Sequence, residues 1–230
     1  MAQPVTLCGD VAANVAEHVR LINAAGQGLV VFPELSLTGY TLDARAVSDD
    51  DDRLLLLVAA CRGAAAVALV GAPVPSGEGG ARSIGIYRVD GDGVSLAYKK
   101  VHLGGAEPLH YEPGVDENPL LLGNVRVAVG VCRDTGQAAH IQHVAGQRPD
   151  IYAAGLVHSP HEVLELERRA QAIAVASGAW VAFASAAGPA SADWPSGAPG
   201  RSGVWSPDGV RRVDAGSRPG AAVTWAIPLS

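Results

Sequence analysis

The sequence predicts a layered fold that mixes α-helices and β-strands, of the α/β or α+β class. Two observations carry that expectation. Short β-branched runs and helical stripes mix along the whole chain, the order expected of helices packed on sheets. The chain has 230 residues, 48% of them apolar, enough for a sizeable core, with no internal repeat and no linker to divide it. One domain over residues 1–230 is the expectation.

The elements follow in order. Residues 11–25 (VAANVAEHVRLINAA) carry apolar side chains at 11, 15, 19 and 22, a helical stripe with Asp10 placed to cap it and Gly26 to end it. Residues 29–32 (LVVF) read as a short buried strand. Residues 49–61 open with four aspartates, which suit the positive end of a helix dipole. A Ca²⁺ loop is the sharper alternative there, but the alternating ligands and closing Glu of an EF-hand are absent. Residues 66–72 (AVALVGA) read as a strand, 75–81 as a loop, and 83–89 with 94–98 as a hairpin around DGDG. Residues 125–131 (VRVAVGV) read as a strand that ends at Cys132. Helices are expected over 137–146 and 161–177, followed by strands over 150–157 and 179–185. A Pro/Gly-rich loop covers 188–203, and closing strands are expected over 203–206 and 221–227 around an SPDG turn.

Composition narrows function. The net charge is -6 with no basic run, which argues against nucleic acid, since that binding is mostly phosphate neutralisation. The cysteines Cys8, Cys61 and Cys132 are an odd, widely spaced set, so neither a disulfide framework nor a zinc site is expected and a reducing cytoplasm fits. The opening MAQPVTLCGD lacks the charged start and apolar core of a signal peptide. The most apolar region, 54–74, is broken by Arg62, Gly63, Gly71 and Pro73, too often for a membrane span. His158, His161 and Glu162 (HSPHE) lack the H-E-x-x-H arrangement, so no metal is expected.

Three polar groups stand at or just past strand ends, where α/β proteins assemble sites from distant pieces of chain: Glu34, Lys100 and Cys132. They form a coherent chemical set. A thiol can attack a carbonyl, a carboxylate in a poorly solvated cleft can take its proton, and a lysine can stabilise the developing oxyanion. A helix starting after Cys132 adds backbone N–H groups, and Lys100 nearby is expected to raise the thiolate fraction of Cys132 above that of Cys8 and Cys61. Each residue also has a plainer reading: Glu34 as a solvated strand end, Lys100 as a charged hairpin edge, Cys132 as a small core residue.

Three blocks decide between these readings. FPELSLTGY (32–40), YKKVHLGGAEPLHYEPG (98–114) and VAVGVCRDTG (127–136) resemble, in order, the Glu, Lys and Cys blocks of the nitrilase or carbon–nitrogen hydrolase superfamily. The resemblance places the lysine of the site at Lys100 rather than Lys99, the nucleophile at Cys132 and the general base at Glu34. It also places a second glutamate at Glu107, seven residues before Gly114. It extends over nearly the whole chain, through the first helix, RPDIY (148–152) and the late hairpin SGVWSPDG (202–209). The first strand, cut to Ala2-Gln3 after the initiator, is expected to be short.

The resemblance implies a four-layer α-β-β-α sandwich, a homodimer, no cofactor, and hydrolysis of a small linear amide through a Cys132 thioester. Nitrile hydrolysis or acyl transfer in the same site is the alternative. A catalytically silent binding protein on the same fold is a rival of another class. Departures from the family pattern bear on substrate. The segment after Cys132 (CRDTGQAAHIQH) lacks the common F-P-E run, and only His140 stands where an H-P-x-H version has its second histidine. The following long helix has RAQAIAV where R-A-x-E-N is common. The backbone N–H of Arg133 is the expected oxyanion donor. Arg133, Tyr111, His140 and His158 are the substrate-binding candidates. His102 is expected to position the turn after Lys100, and Asp134 to cap the helix after Cys132.

Overall fold

The computed structural model describes residues 1–77, 79–189, 191, 194 and 197–228. Its helices are α1 (Val11–Ala25), α2 (Leu55–Ala64), α3 (Ala138–Gln147) and α4 (Val163–Ser177). Its strands begin with β1 (Ala2–Gln3), β2 (Gly28–Val31), β3 (Ala66–Pro75), β4 (Arg82–Val89) and β5 (Val94–Lys99). Then come β6 (Leu120–Leu122), β7 (Val125–Val131), β8 (Ile151–Leu156) and β9 (Trp180–Ser185). The last are β10 (Ala187–Gly188), β11 (Ala198–Pro199), β12 (Gly203–Trp205), β13 (Arg211–Asp214) and β14 (Ala221–Ala222).

Two sheets carry the architecture. One has the order β2-β3-β4-β5, the other β13-β12-β9-β8-β7-β6. In the first, β2 and β3 run parallel; in the second, β7, β8 and β9 do. Both faces of these strands are covered, and the period-two pleat divides each strand between two cores. Val30, Ala68, Val70 and Ala72 pack with Val15 and Ile22 of α1 and Leu57 and Cys61 of α2. The intervening Val31 and Leu69 turn the other way and meet Val127, Val129, Ile151 and Ala182 of the second sheet. The alternate residues Ala128, Tyr152, Ala154, Val181 and Phe183 face Val144 of α3 and Leu166, Ala170 and Ile173 of α4. Three parallel cores separate four layers, α-β-β-α.

The local signals explain the helices. The Asp10 carboxylate accepts from the Ala13 N–H at 3.0 Å, and Gly26 closes α1 with φ 73°. The aspartate run starts a helix as expected: Asp51 caps a 3₁₀ turn, Asp52–Leu54, that leads into α2.

The late hairpin differs from the residue-by-residue reading. β12 pairs antiparallel with β13, so the SPDG turn joins 203–205 to 211–214 and not to 221–227. The stretch RRVD has three charged residues in four and carries little hydrophobic strand signal. Ala221 and Ala222 pair with Gln3 and Ala2 instead. The first strand is short, two residues, as expected. The loop over 188–203 contains the β10–β11 ribbon, while residues 190, 192, 193, 195 and 196 of that loop, and residue 78 of the 75–81 loop, lie outside the described residues. Among the described residues, no helix is long and apolar enough to cross a membrane.

Candidate active site

The site gathers where the two sheets face each other, beyond the C-terminal ends of β2, β5, β7 and β8. Glu34 comes first. After β2 the chain makes a tight turn in which Leu35 has φ 52°, a conformation costly for a leucine. Two glycines make room for it. A Cβ on Gly71 of β3 would lie 2.3 Å from the Pro33 carbonyl oxygen, and one on Gly155 of β8 would lie 2.8 Å from the Glu34 nitrogen. Helix α1 fastens the same turn from outside: the Asn14 side-chain amide donates to the Leu37 carbonyl at 2.9 Å, and Ser36 Oγ lies 2.9 Å from His18 Nε2. His18 Nδ1 sits 2.7 Å from the Asn14 carbonyl and so carries the proton, which leaves Nε2 to accept from the serine. Burial holds the His18 imidazole near pKa 4, neutral, as this arrangement requires.

Lys100 follows β5, and its side chain is 1% exposed. Its Nζ donates to Glu34 Oε1 at 2.6 Å and to Glu107 Oε1 at 2.7 Å. Lys99 points elsewhere, toward Ser76 Oγ. Glu107 opens a 3₁₀ turn, Glu107–Leu109, and is fully engaged: Tyr40 Oη donates to Oε1 at 2.8 Å and the Gly104 N–H to Oε2 at 2.7 Å. Glu34 Oε2, by contrast, is buried with no hydrogen-bond partner among the described residues.

Cys132 follows β7 directly and starts a 3₁₀ turn, Cys132–Gly136, with φ 42°. This sharp elbow lifts the thiol out of the strand. Asp134 holds the elbow, accepting from the Val131 N–H at 3.1 Å, and so acts as the expected cap, though of this 3₁₀ turn rather than of α3. The same carboxylate accepts from Tyr98 Oη at 3.0 Å and from the His102 N–H at 2.8 Å, while His102 Nδ1 lies 2.9 Å away. It thus joins the segment after Cys132 to the segment around Lys100. The Cys132 thiol donates to the Val157 carbonyl, just past β8, at 3.1 Å.

Electrostatics correct one expectation. Burial raises the Cys132 thiol above its ordinary pKa and Glu34 raises it further, while Lys100 pulls the other way without prevailing. The resting sulfur is therefore a thiol, not an enriched thiolate, because burial, with Glu34 adding to it, outweighs the one ammonium that two carboxylates already share. Burial also raises Glu34, to about 7, with Lys100 opposing and Glu107 adding to the rise. Burial works against the Lys100 ammonium, but Glu34, Cys132 and Glu107 more than offset it and hold it above the ordinary lysine value. The arrangement suits a carboxylate that removes the thiol proton during attack.

A pH dependence follows. If Glu34 must be ionised, kcat/KM should fall about tenfold per pH unit below about 7 and level off above it. A rate constant across pH 5–8 would overturn that role. For stability the sign is the reverse of the usual carboxylate case. The folded state holds this proton more tightly than the unfolded chain, so the Glu34 contribution falls as pH rises from 4.5 to about 7.

A cleft of about 250 Å³ opens over the thiol. Arg133 and His158 line it, as do Tyr40, Trp194 and the first turns of α4. His140 and Tyr111 do not, which corrects their reading as pocket residues. His140 is buried against β8, with Nε2 2.9 Å from Tyr152 Oη and Nδ1 3.4 Å from Asp116. Tyr111 is buried under the Arg82 guanidinium, which stands 5.2 Å from its ring centre. Sequence reasoning assigned no role to Tyr40, although it closes the FPELSLTGY block. Nor did it foresee Glu165 and Arg169, whose place on α4 carries no local signal. Among the described residues, no three His, Cys, Asp or Glu side chains are grouped to hold a metal ion.

The carbon-nitrogen hydrolase family model matches residues 1–230. Three solved structures illustrate the fold likeness. XC1258 from Xanthomonas campestris, a CN-hydrolase superfamily protein with an arsenic adduct in its active site, is 19% identical with TM-score 0.85, over 95% of this chain and 85% of that one. Nit3 of Saccharomyces cerevisiae, from branch 10 of the nitrilase superfamily, is 20% identical with TM-score 0.83, over 94% and 84%. A Cys-to-Ala form of the Nesterenkonia AN1 amidase in complex with butyramide is 24% identical with TM-score 0.81, over 95% and 86%. At these identities the likeness is one of fold. A comparison with curated protein sequences gives no significant match.

Proposed function

The chain belongs to the carbon-nitrogen hydrolase family, and from that premise we propose that it hydrolyses the C–N bond of a small linear amide through a thioester on Cys132. One observation carries the reading: a buried Glu34–Lys100–Glu107 trio at 2.6 and 2.7 Å beside a cysteine on a strained elbow. The cleft volume of about 250 Å³ suits a substrate of few atoms, and the butyramide complex of the Nesterenkonia amidase is a precedent for a short amide on this fold.

In this reading Glu34 takes the thiol proton as sulfur bonds to the amide carbon. The oxyanion is held by Lys100 and the N–H of Arg133. Glu34 then passes the proton to nitrogen, the C–N bond breaks, and ammonia or an amine leaves. Water, deprotonated by Glu34, attacks the thioester, and the thiolate leaves and recovers the proton. Glu107, fixed by Tyr40 and Gly104, positions Lys100.

The test is ammonia release from a panel of short amides, N-carbamoyl compounds and nitriles, with hydroxylamine present to intercept the acyl-enzyme as a hydroxamate. Hydroxamate from an amide supports the reading. Acid from a nitrile without amide turnover favours nitrile hydrolysis, and a Cys132→Ala protein that still turns over every wild-type substrate overturns the mechanism. The proposed assembly is a homodimer. The side chains of Leu164 and Val175 on α4 stand exposed and give it apolar surface to cover, and light scattering at micromolar concentration should return twice the chain mass.

A further inference from the structure

We propose that His18, a buried residue of α1 outside the lining of the cleft, is a positioning residue for the reaction: it grips the Glu34 turn on both sides of the carboxylate and fixes where that carboxylate stands relative to Lys100 and Cys132. The proposal rests on the reading of Glu34 as general base. Two independent observations carry it.

The first is a polar pair on the buried face of a helix. The apolar members of that face of α1, among them Val15 and Ile22, share one core with Phe32 and Leu37. Asn14 and His18, one helical turn apart, are its polar members, and His18 is 0% exposed. Burying an imidazole costs free energy that a leucine would not, and the cost is offset only where both ring nitrogens find partners. Both do. Nδ1 stays within the helix, 2.7 Å from the Asn14 carbonyl, and Nε2 reaches out of it to Ser36 Oγ at 2.9 Å. Asn14 also reaches out: its amide donates to the Leu7 and Leu37 carbonyls, and its oxygen accepts from the Leu7 N–H.

The second is where the ring takes hold. It stacks on Phe32, with ring centres 4.1 Å apart and planes at 23°, and it bonds Ser36. Phe32 stands just before the Pro33-Glu34 pair and Ser36 just after Leu35, so one rigid ring holds both ends of the segment that carries the carboxylate. Leu35, at φ 52°, lies inside the same segment. The Leu37 N–H, donating to the Gly71 carbonyl at 3.0 Å, and the close approaches at Gly71 and Gly155 set how deep the turn lies against the sheets. The stack and the Ser36 bond set its rotation, because a hydrogen bond has direction and a packed leucine has none. On the proposed mechanism Glu34 must meet Lys100 Nζ at 2.6 Å and still reach the thiol proton, and a misplacement of ~1 Å in such a group can cost ~10²-fold in rate.

The experiment uses His18→Leu, Ser36→Ala, the double variant, and His18→Gln, whose side-chain amide can still accept from Ser36. Two rates are read on protein shown to be folded by circular dichroism. One is ammonia release from butyramide or the fastest amide of the panel. The other is alkylation of Cys132 by iodoacetamide, with the exposed Cys8 as internal reference. Alkylation also needs the thiol proton removed, and it needs no amide substrate. His18→Leu and Ser36→Ala should each lower kcat and the relative alkylation rate ~10-fold or more, with KM within about twofold of wild type. His18→Gln should recover part of the loss. The double variant separates position from stability: with neither polar partner left behind it should unfold near the wild-type temperature, yet stay as slow as the single variants. A double variant with wild-type kcat and alkylation rate, or a His18→Gln protein as slow as His18→Leu, overturns the proposal. So do single variants that lose thermal stability alone, and Ser36→Ala, which removes one hydroxyl, decides the matter if His18→Leu does not fold. Alkylation rates that separate as expected in a protein that releases no ammonia from any amide overturn the amidase reading and leave the role of His18 standing. Ammonia release with equal rates in every variant does the opposite.

Discussion

Glu34→Gln is expected to lower kcat on any amide substrate by ~10³-fold or more while the protein stays folded. The substitution keeps size and leaves an amide oxygen to accept from Lys100. On the proposed mechanism it removes the group that takes the thiol proton, an effect commonly worth ~10²–10⁴-fold. The loss should exceed the middle of that range because the Cys132 thiol is held above its ordinary pKa and cannot supply thiolate unaided. Hydroxamate formation should vanish with hydrolysis, since acylation itself fails. Lys100→Ala should cost ~10²-fold or more through the oxyanion. It should also drive the acid limb of any residual activity to higher pH, because Glu34 then faces Glu107 with no cation between them. Circular dichroism separates lost chemistry from lost fold. A folded Glu34→Gln protein within tenfold of wild-type turnover would sink the assignment of the base.

Gly71→Ala is expected to destabilise the fold by ~3 kcal/mol or to displace the Glu34 turn, with activity lost either way. The new methyl would meet the Pro33 carbonyl oxygen at 2.3 Å and the Leu35 nitrogen at 2.6 Å, both backbone atoms with no rotamer to yield. Overpacking of this kind usually costs ~1–3 kcal/mol, and contacts this short belong at the upper end. Gly155→Ala should behave alike, since its methyl would lie 2.7 Å from the Phe32 carbonyl oxygen. Gly63→Ala is the control: it sits in α2 with nothing within 4 Å of the added carbon, and should stabilise by up to ~1 kcal/mol. Thermal unfolding of the three proteins beside wild type gives the comparison. A Gly71→Ala protein as stable and active as wild type would refute the close approach.

Much of this architecture can be read from residue order, and the reasons are local. Strands β2, β3, β8 and β9 carry nearly continuous apolar runs because both faces are buried, β7 does so after Arg126, and Asp10 and Gly26 mark α1 by chemistry that needs no tertiary partner. Glu34 and Cys132 stand out because each follows the end of such a run, and Lys100 because it follows the end of a hairpin strand. What sequence conceals is direction. His140 looks like a pocket group, yet α3 turns it inward to Tyr152. Arg133 lies beside the nucleophile in any case, but only the folded chain shows that its side chain lines the cleft. Gly71 and Gly155 look like any strand glycine, and their purpose appears only when a turn from another layer is laid against them. The state of the Cys132 thiol is hidden in the same way, because its burial, which outweighs Lys100, exists only in the fold. Lys100 was visible as a charge, but its engagement by two carboxylates at once was not.

The seat of Asp134 sets the order in which the protein can become active. Its carboxylate gathers Tyr98 and His102 from one sheet and the Val131 N–H from the other, while Glu34 and Lys100 belong to the first sheet and Cys132 to the second. Neither sheet alone owns a reaction centre. During refolding, strand and helix signals can grow within each sheet and its covering helices, from contacts closer in sequence, before the sheets close on each other. Turnover should therefore trail the far-ultraviolet signal and arrive together with burial of Tyr98, making enzymatic activity a clock for the final docking step.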